Sequence, residues 1–126
     1  MKNERHYLRC EICGNVIGMI EDSGVPMECC GQEMTPLVPN TVDAAAEKHV
    51  PAIDFVGDLL KVRIGEVKHP ATAGHHIVWI AVAQGARTQR VVIEVGAPPK
   101  ADFVVDDGEF TVYAYCNLHG LWALEN

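Results

Sequence analysis

Four cysteines crowd into the first 37 residues as Cys10-Glu11-Ile12-Cys13-Gly14 and Cys29-Cys30-Gly31, a C-x2-C…C-C pattern. A segment shorter than roughly 40 residues buries too little apolar surface to fold alone and needs a metal, disulfides or a partner chain. The cysteines meet that need. Two thiolates two residues apart wrap one ion through a tight knuckle, and the glycines let the backbone turn its N–H groups toward the sulfurs. Four thiolates favour a tetrahedral soft-metal site, holding zinc or a single iron. A zinc ribbon presents two C-x2-C knuckles, whereas adjacent Cys29 and Cys30 must splay apart to reach one ion. The distortion this implies serves no purpose at zinc but alters a redox potential at iron, so the pattern leans toward iron.

Compartment and charge narrow the function classes. The start MKNERHYLRC has charge but no hydrophobic signal core behind it, and no apolar run approaches the ~20 residues of a membrane span. A cytoplasmic protein with no membrane partner is the expectation. A reducing cytoplasm disfavours disulfides, which leaves metal binding or catalysis for the five cysteines. The net charge of −7 argues against nucleic acid as a partner. It also means that an anionic substrate requires a local positive group.

Two domains are expected, 1–37 and 38–126. Val38-Pro39-Asn40 reads as a linker, and Asp43 to Glu47 as at most a helical turn. In the small unit, Tyr7–Arg9 and Val16–Ile20 are short β-like runs. Beyond residue 50 the Val- and Ile-rich runs Leu59–Ile64, His76–Ala83, Thr88–Val95, Phe103–Val105 and Glu109–Cys116 read as strands punctuated by turns. Gln84-Gly85 and Asp107-Gly108 are hairpin signals. On the last long strand, Phe110, Val112, Ala114 and Cys116 share one face, and Thr111, Tyr113 and Tyr115 the other. The chain is 48% hydrophobic but only 6% aromatic, so the core is aliphatic. Short strands at this spacing predict a mainly β protein with an antiparallel sandwich.

Four of the six histidines stand at strand ends or in loops, where a rigid sandwich aims side chains at one point. They are His49 in Glu47-Lys48-His49-Val50-Pro51, His69 in Lys68-His69-Pro70, His75 at the opening of a strand, and His119 in Tyr115-Cys116-Asn117-Leu118-His119-Gly120. His76 points away from His75 if the strand is regular, so only one of the two binds. His6 lies in the small unit and has no assigned role.

These motifs together, with the closing Leu121 to Asn126 (LWALEN), make the whole chain resemble desulfoferrodoxin, the two-iron superoxide reductase family. The resemblance implies a desulforedoxin-like domain with one iron held by Cys10, Cys13, Cys29 and Cys30. It implies an immunoglobulin-like β-sandwich with a second iron, whose equatorial ligands are His49, His69, His75 and His119 and whose axial ligand is Cys116. It further implies reduction of superoxide to hydrogen peroxide, rubredoxin or a similar small redox protein as electron donor, and a homodimer. Lys48 then draws superoxide in and positions a proton-donating water, and Glu47 swings in to ligate the oxidised iron. Related chains commonly carry a bulky aromatic residue where this one has His76. Without the resemblance, two other classes fit the residues: an electron-transfer iron protein, and a zinc-stabilised binding module without catalytic activity.

Overall fold

A computed structural model describes residues 3–40, 49–64 and 72–126. The chain divides into two compact units, Glu4–Val38 and Met1–Asn3 with Pro39–Asn126.

The smaller unit holds β1 (Tyr7–Arg9), β2 (Val16–Gly18), β3 (Glu28–Cys29), β4 (Gln32–Glu33) and β5 (Thr35–Pro36). Three of them form a sheet in the order β2-β1-β5, and β3 and β4 pair as a hairpin. Only Tyr7, Cys10 and Met34 are buried within it. Three buried side chains cannot offset the entropy of ordering 35 residues, at roughly 1–2 kcal/mol of backbone each. The unit therefore depends on a cross-link, as its length alone suggests.

The larger unit is an antiparallel two-sheet sandwich. One sheet runs β10 (Lys100–Val104), β7 (Leu59–Ile64), β6 (Pro51–Val56), and the other β12 (Gly120–Glu125), β11 (Thr111–Cys116), β8 (Ile77–Gln84), β9 (Arg87–Val92). Strand β7 shows why the sheets face each other. Leu60, Val62 and Ile64 are buried at period two, while Lys61 and Arg63 stand in solvent and pair with Asp102 and Asp54. The buried trio meets Ile77, Ile80, Val82, Val112, Ala114 and Cys116 of the opposite sheet in one core. Each large aliphatic side chain there contributes about 1.5–3 kcal/mol, against 0–1 kcal/mol for an exposed ion pair.

The mainly β fold matches expectation, with local differences. Pro51–Val56 and Gly120–Glu125 are strands that the sequence reading left unassigned. The Gln84-Gly85 signal does lie at a hairpin, closed by the Gln84–Arg87 pair with Gly85 at φ +58°. The hairpin expected at Asp107-Gly108 is absent, because β10 pairs with β7 whereas β11 pairs with β8 and β12. That segment crosses between the sheets instead. The Gln84 side chain secures the crossover: its Nε2 donates to the carbonyls of Asp106 (2.8 Å) and Glu109 (3.3 Å), and its Oε1 accepts from the Asp106 N–H (2.8 Å). The helical turn anticipated between Asp43 and Glu47 lies outside the described residues.

Candidate metal centres

In the smaller unit the chain builds a four-sulfur nest from two turns. The Cys13 N–H points at Cys10 Sγ (3.4 Å), the Gly14 N–H donates to the Cys10 carbonyl (2.9 Å), and Gly14 closes the knuckle at φ +81°. The second turn answers how neighbouring cysteines reach one point. Cys30 and Gly31 both lie at positive φ (54° and 78°) between the paired residues Cys29 and Gln32. Two successive left-handed residues form the tight hairpin turn that suits strand twist, and they turn the Cys30 sulfur back toward Cys29. Cys13 Sγ lies 3.6 Å and Cys30 Sγ 3.9 Å from Cys29 Sγ, and all four sulfurs lie within 4.8 Å of one another. An ion with metal–sulfur bonds of about 2.3 Å separates tetrahedral sulfurs by about 3.8 Å, so the nest fits.

Its titration points the same way. The Cys13 backbone N–H, aided by that of Ile12, lowers the Cys10 thiol to about 6. Hydrogen bonding to Cys10 first, then to Cys13 and Cys29, pushes Cys30 up to about 12, and hydrogen bonding to Cys13 raises Cys29. Four like charges cannot share this space unaided, and a cation replaces the protons that otherwise hold it together. Among the described residues, nothing lies within 4 Å of a Cβ built on Gly31. Gly31→Ala therefore carries only the left-handed backbone cost of about 1–2 kcal/mol. We expect a chelator to compete for the first metal roughly 5- to 30-fold more effectively in that variant, read from the decay of the sulfur-to-metal absorption.

The larger unit assembles a second cluster at one end of the sandwich. Cys116 ends β11, fully buried in the core. The register of β11 on β8 slips between Tyr115 and Cys116, so that Tyr115 faces Trp79 but Cys116 faces Ile77. A slip of this kind bends the strand and re-aims its last side chains. The following turn carries His119 and closes on Gly120 at φ +80°. His49, 2% exposed, stands just ahead of β6, and His75 just ahead of β8. Donor atoms of His49, His75, Cys116 and His119 all lie within 4.8 Å of one another.

The rings are set at right angles in sequence. His119 stands edge-on to both His49 (centroids 4.8 Å, 88°) and His75 (4.7 Å, 82°), while His49 and His75 are 6.2 Å apart and nearly parallel at 23°. His119 Nδ1 and His49 Nε2 are 3.0 Å apart. With metal–nitrogen bonds of about 2.1 Å, donors at a right angle are about 3.0 Å apart and tetrahedral donors about 3.4 Å. The 3.0 Å spacing is compatible with two donors at a right angle about one ion, and imidazole with thiolate suits iron. Burial drives the Cys116 thiol up, while the N–H groups of His119 and Leu118 pull it back. The buried thiolate therefore requires a cation beside it.

His75, and not His76, lies in the cluster. His69, Glu47 and Lys48 lie outside the described residues. Trp122 is a site residue that sequence reasoning missed. Its indole stacks on His49 (4.9 Å, 21°), and its Nε1–H donates to the His119 carbonyl (3.2 Å). As the second residue of LWALEN it offered no periodic signal.

The desulfoferrodoxin family model matches residues 41–125, and the model of the desulfoferrodoxin N-terminal domain matches residues 2–37. The chain belongs to the desulfoferrodoxin family. A desulfoferrodoxin of Syntrophotalea carbinolica is 39% identical over 99% of both chains. A superoxide reductase of Pyrococcus abyssi is 35% identical over 66% of this chain and 89% of its own. The crystal structure of the superoxide reductase from Treponema pallidum aligns over 96% of this chain and 98% of its own, with a TM-score of 0.76 and 29% identity. Desulfoferrodoxin likeness thus spans both units, and each unit brings one metal-competent cluster.

Proposed function

We propose that this chain is a superoxide reductase, converting superoxide to hydrogen peroxide with one electron and two protons and without releasing dioxygen. The observation that carries this is the three-imidazole, one-thiol cluster at the end of the sandwich, in a chain that aligns over nearly its whole length with a solved superoxide reductase. In this scheme domain 1–37 holds one iron through Cys10, Cys13, Cys29 and Cys30. Domain 38–126 would hold the second through His49, His69, His75, His119 and Cys116. Iron bound in the second site supplies the electron that superoxide takes up.

The protein's share of the chemistry follows from charge. Neutral imidazoles add no negative charge, so the ion keeps its attraction for an anion despite a net protein charge of −7. The Cys116 thiolate, steadied by two backbone N–H groups, donates electron density from a buried position. Lys48 would supply the local positive charge and hold a proton-donating water, and Glu47 would offer a carboxylate ligand to iron in its oxidised form. Lys48→Ala is expected to slow the bimolecular reaction with superoxide by on the order of tenfold or more and to flatten its ionic-strength dependence, with both irons retained. Stopped-flow rates at several salt concentrations check this, and an unchanged second-order rate removes Lys48 from the mechanism.

We further propose a cytoplasmic homodimer that receives electrons from rubredoxin or a similar small redox protein. No helix among the described residues is long and apolar enough to cross a membrane. Single-turnover mixing tests the proposed function: anaerobically reduced protein given one equivalent of superoxide should yield peroxide while the visible band of the oxidised second centre appears. Superoxide consumption with that centre left reduced argues against it.

A further inference from the structure

Asn117 lies between Cys116 and His119, and four hydrogen bonds tie it to the segment that carries His75. Its Nδ2 donates to the carbonyls of Gly74 (3.2 Å) and Ala73 (3.4 Å), and its Oδ1 accepts from the His76 N–H (2.9 Å). Its own N–H donates to the His76 carbonyl (3.2 Å). Two carbonyls facing one end of the amide and an N–H facing the other fix its orientation. The geometry points to Asn117 as the positioning residue of the second centre, setting His75 against Cys116 and His119. This inference rests on the proposed function, in that it takes the cluster to be a metal centre.

The register slip explains why a side chain is needed here. Beyond Tyr115 the ladder between β11 and β8 has lost its regular pairing, so residue 117 no longer faces its neighbour as a strand residue does. In a regular pair the two residues exchange backbone N–H and C=O groups. Asn117 reproduces that exchange with His76 by using its backbone N–H and, in place of a carbonyl, its Oδ1. The Nδ2 group is thereby left to hold Ala73 and Gly74, immediately before His75. On its other side His75 is paired reciprocally with Thr72 at 3.1 Å, and its carbonyl accepts from Thr72 Oγ1 at 3.3 Å. The imidazole of His75 is thus presented by a turn bolted directly onto the loop that presents the thiol and His119.

The full-length chain carrying Asn117→Ala or Asn117→Asp, loaded with ferrous iron and challenged with a chelator, tests this. Loss of a partner that orients a metal ligand typically weakens metal binding 10- to 100-fold. The alanine variant should release the second iron on the order of tenfold faster or more, and its oxidised visible band should shift while the first centre's spectrum stays in place. The aspartate variant keeps the acceptor for His76 but sets a second acceptor oxygen against the carbonyls of Ala73 and Gly74, and should release the second iron at least as fast as the alanine variant. A residue that merely stabilises the fold lowers the melting temperature without moving the band. Native release rates and an unmoved band in the aspartate variant overturn the role of Asn117, even if the alanine variant does not fold. A native chain that takes up no second iron overturns the proposed function along with it.

Discussion

Cys116→Ser should abolish the visible absorption of the second centre and superoxide reduction with it, while the four-sulfur centre keeps its spectrum. The band requires a thiolate sulfur on the metal, and serine offers a hard oxygen that stays protonated at neutral pH. Cys116 is fully buried, yet the exchange need not unfold the sandwich. The N–H groups of Leu118 and His119 that face the sulfur remain as partners for a hydroxyl, so its burial costs less than the roughly 1–3 kcal/mol of an unsatisfied polar group. The thiol adds a pH dependence of defined sign. Burial holds it above its ordinary value, so it is protonated at neutral pH when no metal is present, and metal binding must displace that proton. Affinity for the second metal should then fall as pH falls, by about tenfold per unit from this group alone. Equilibrium chelator competition across pH 6 to 8 measures it.

His75→Ala should cost the second centre its iron under chelator competition, whereas His76→Ala should keep the band. The two residues are adjacent in sequence but differ in what they face. The His75 ring stands 4.7 Å from that of His119 and within the donor cluster. His76 instead lends its backbone to Asn117 in both directions. Removing a ligand outright should exceed the roughly 10- to 100-fold loss caused by removing an outer partner. Iron content after gel filtration in chelator compares the two variants directly. Retention of the band in His75→Ala and its loss in His76→Ala reverse the assignment.

Features with local causes were legible in the sequence. The Cys10 to Gly14 knuckle follows from five consecutive residues, and the alternation of Leu60, Val62 and Ile64 with Lys61 and Arg63 marks a half-buried strand. Features decided by sheet partners were not. Asp107-Gly108 carries a turn signal, but which strands flank it depends on Phe103 of β10 and Phe110, just ahead of β11, both entering the core. Pro51–Val56 hides its strand because only Pro51 is buried, and Phe55 and Val56 remain exposed. Tyr113 and Tyr115, on the strand face opposite Val112, Ala114 and Cys116, are buried as well, which alternation alone does not reveal. The convergence of His49, His75, Cys116 and His119 depends on β8 lying beside β11 and on the slip at Tyr115. No spacing rule encodes either, and the ligand set came from family resemblance. Adjacent cysteines at 29 and 30 pose a geometric difficulty for a single ion, and the positive φ of Cys30 and Gly31 resolves it.

The most direct measurement is product stoichiometry on protein of known metal content. Iron-loaded protein kept reduced by a one-electron donor is supplied with superoxide, and hydrogen peroxide and dioxygen are both quantified. A superoxide reductase yields one peroxide for each superoxide consumed and evolves no dioxygen. One peroxide for every two superoxides, with dioxygen released, identifies a dismutase and contradicts the function proposed here.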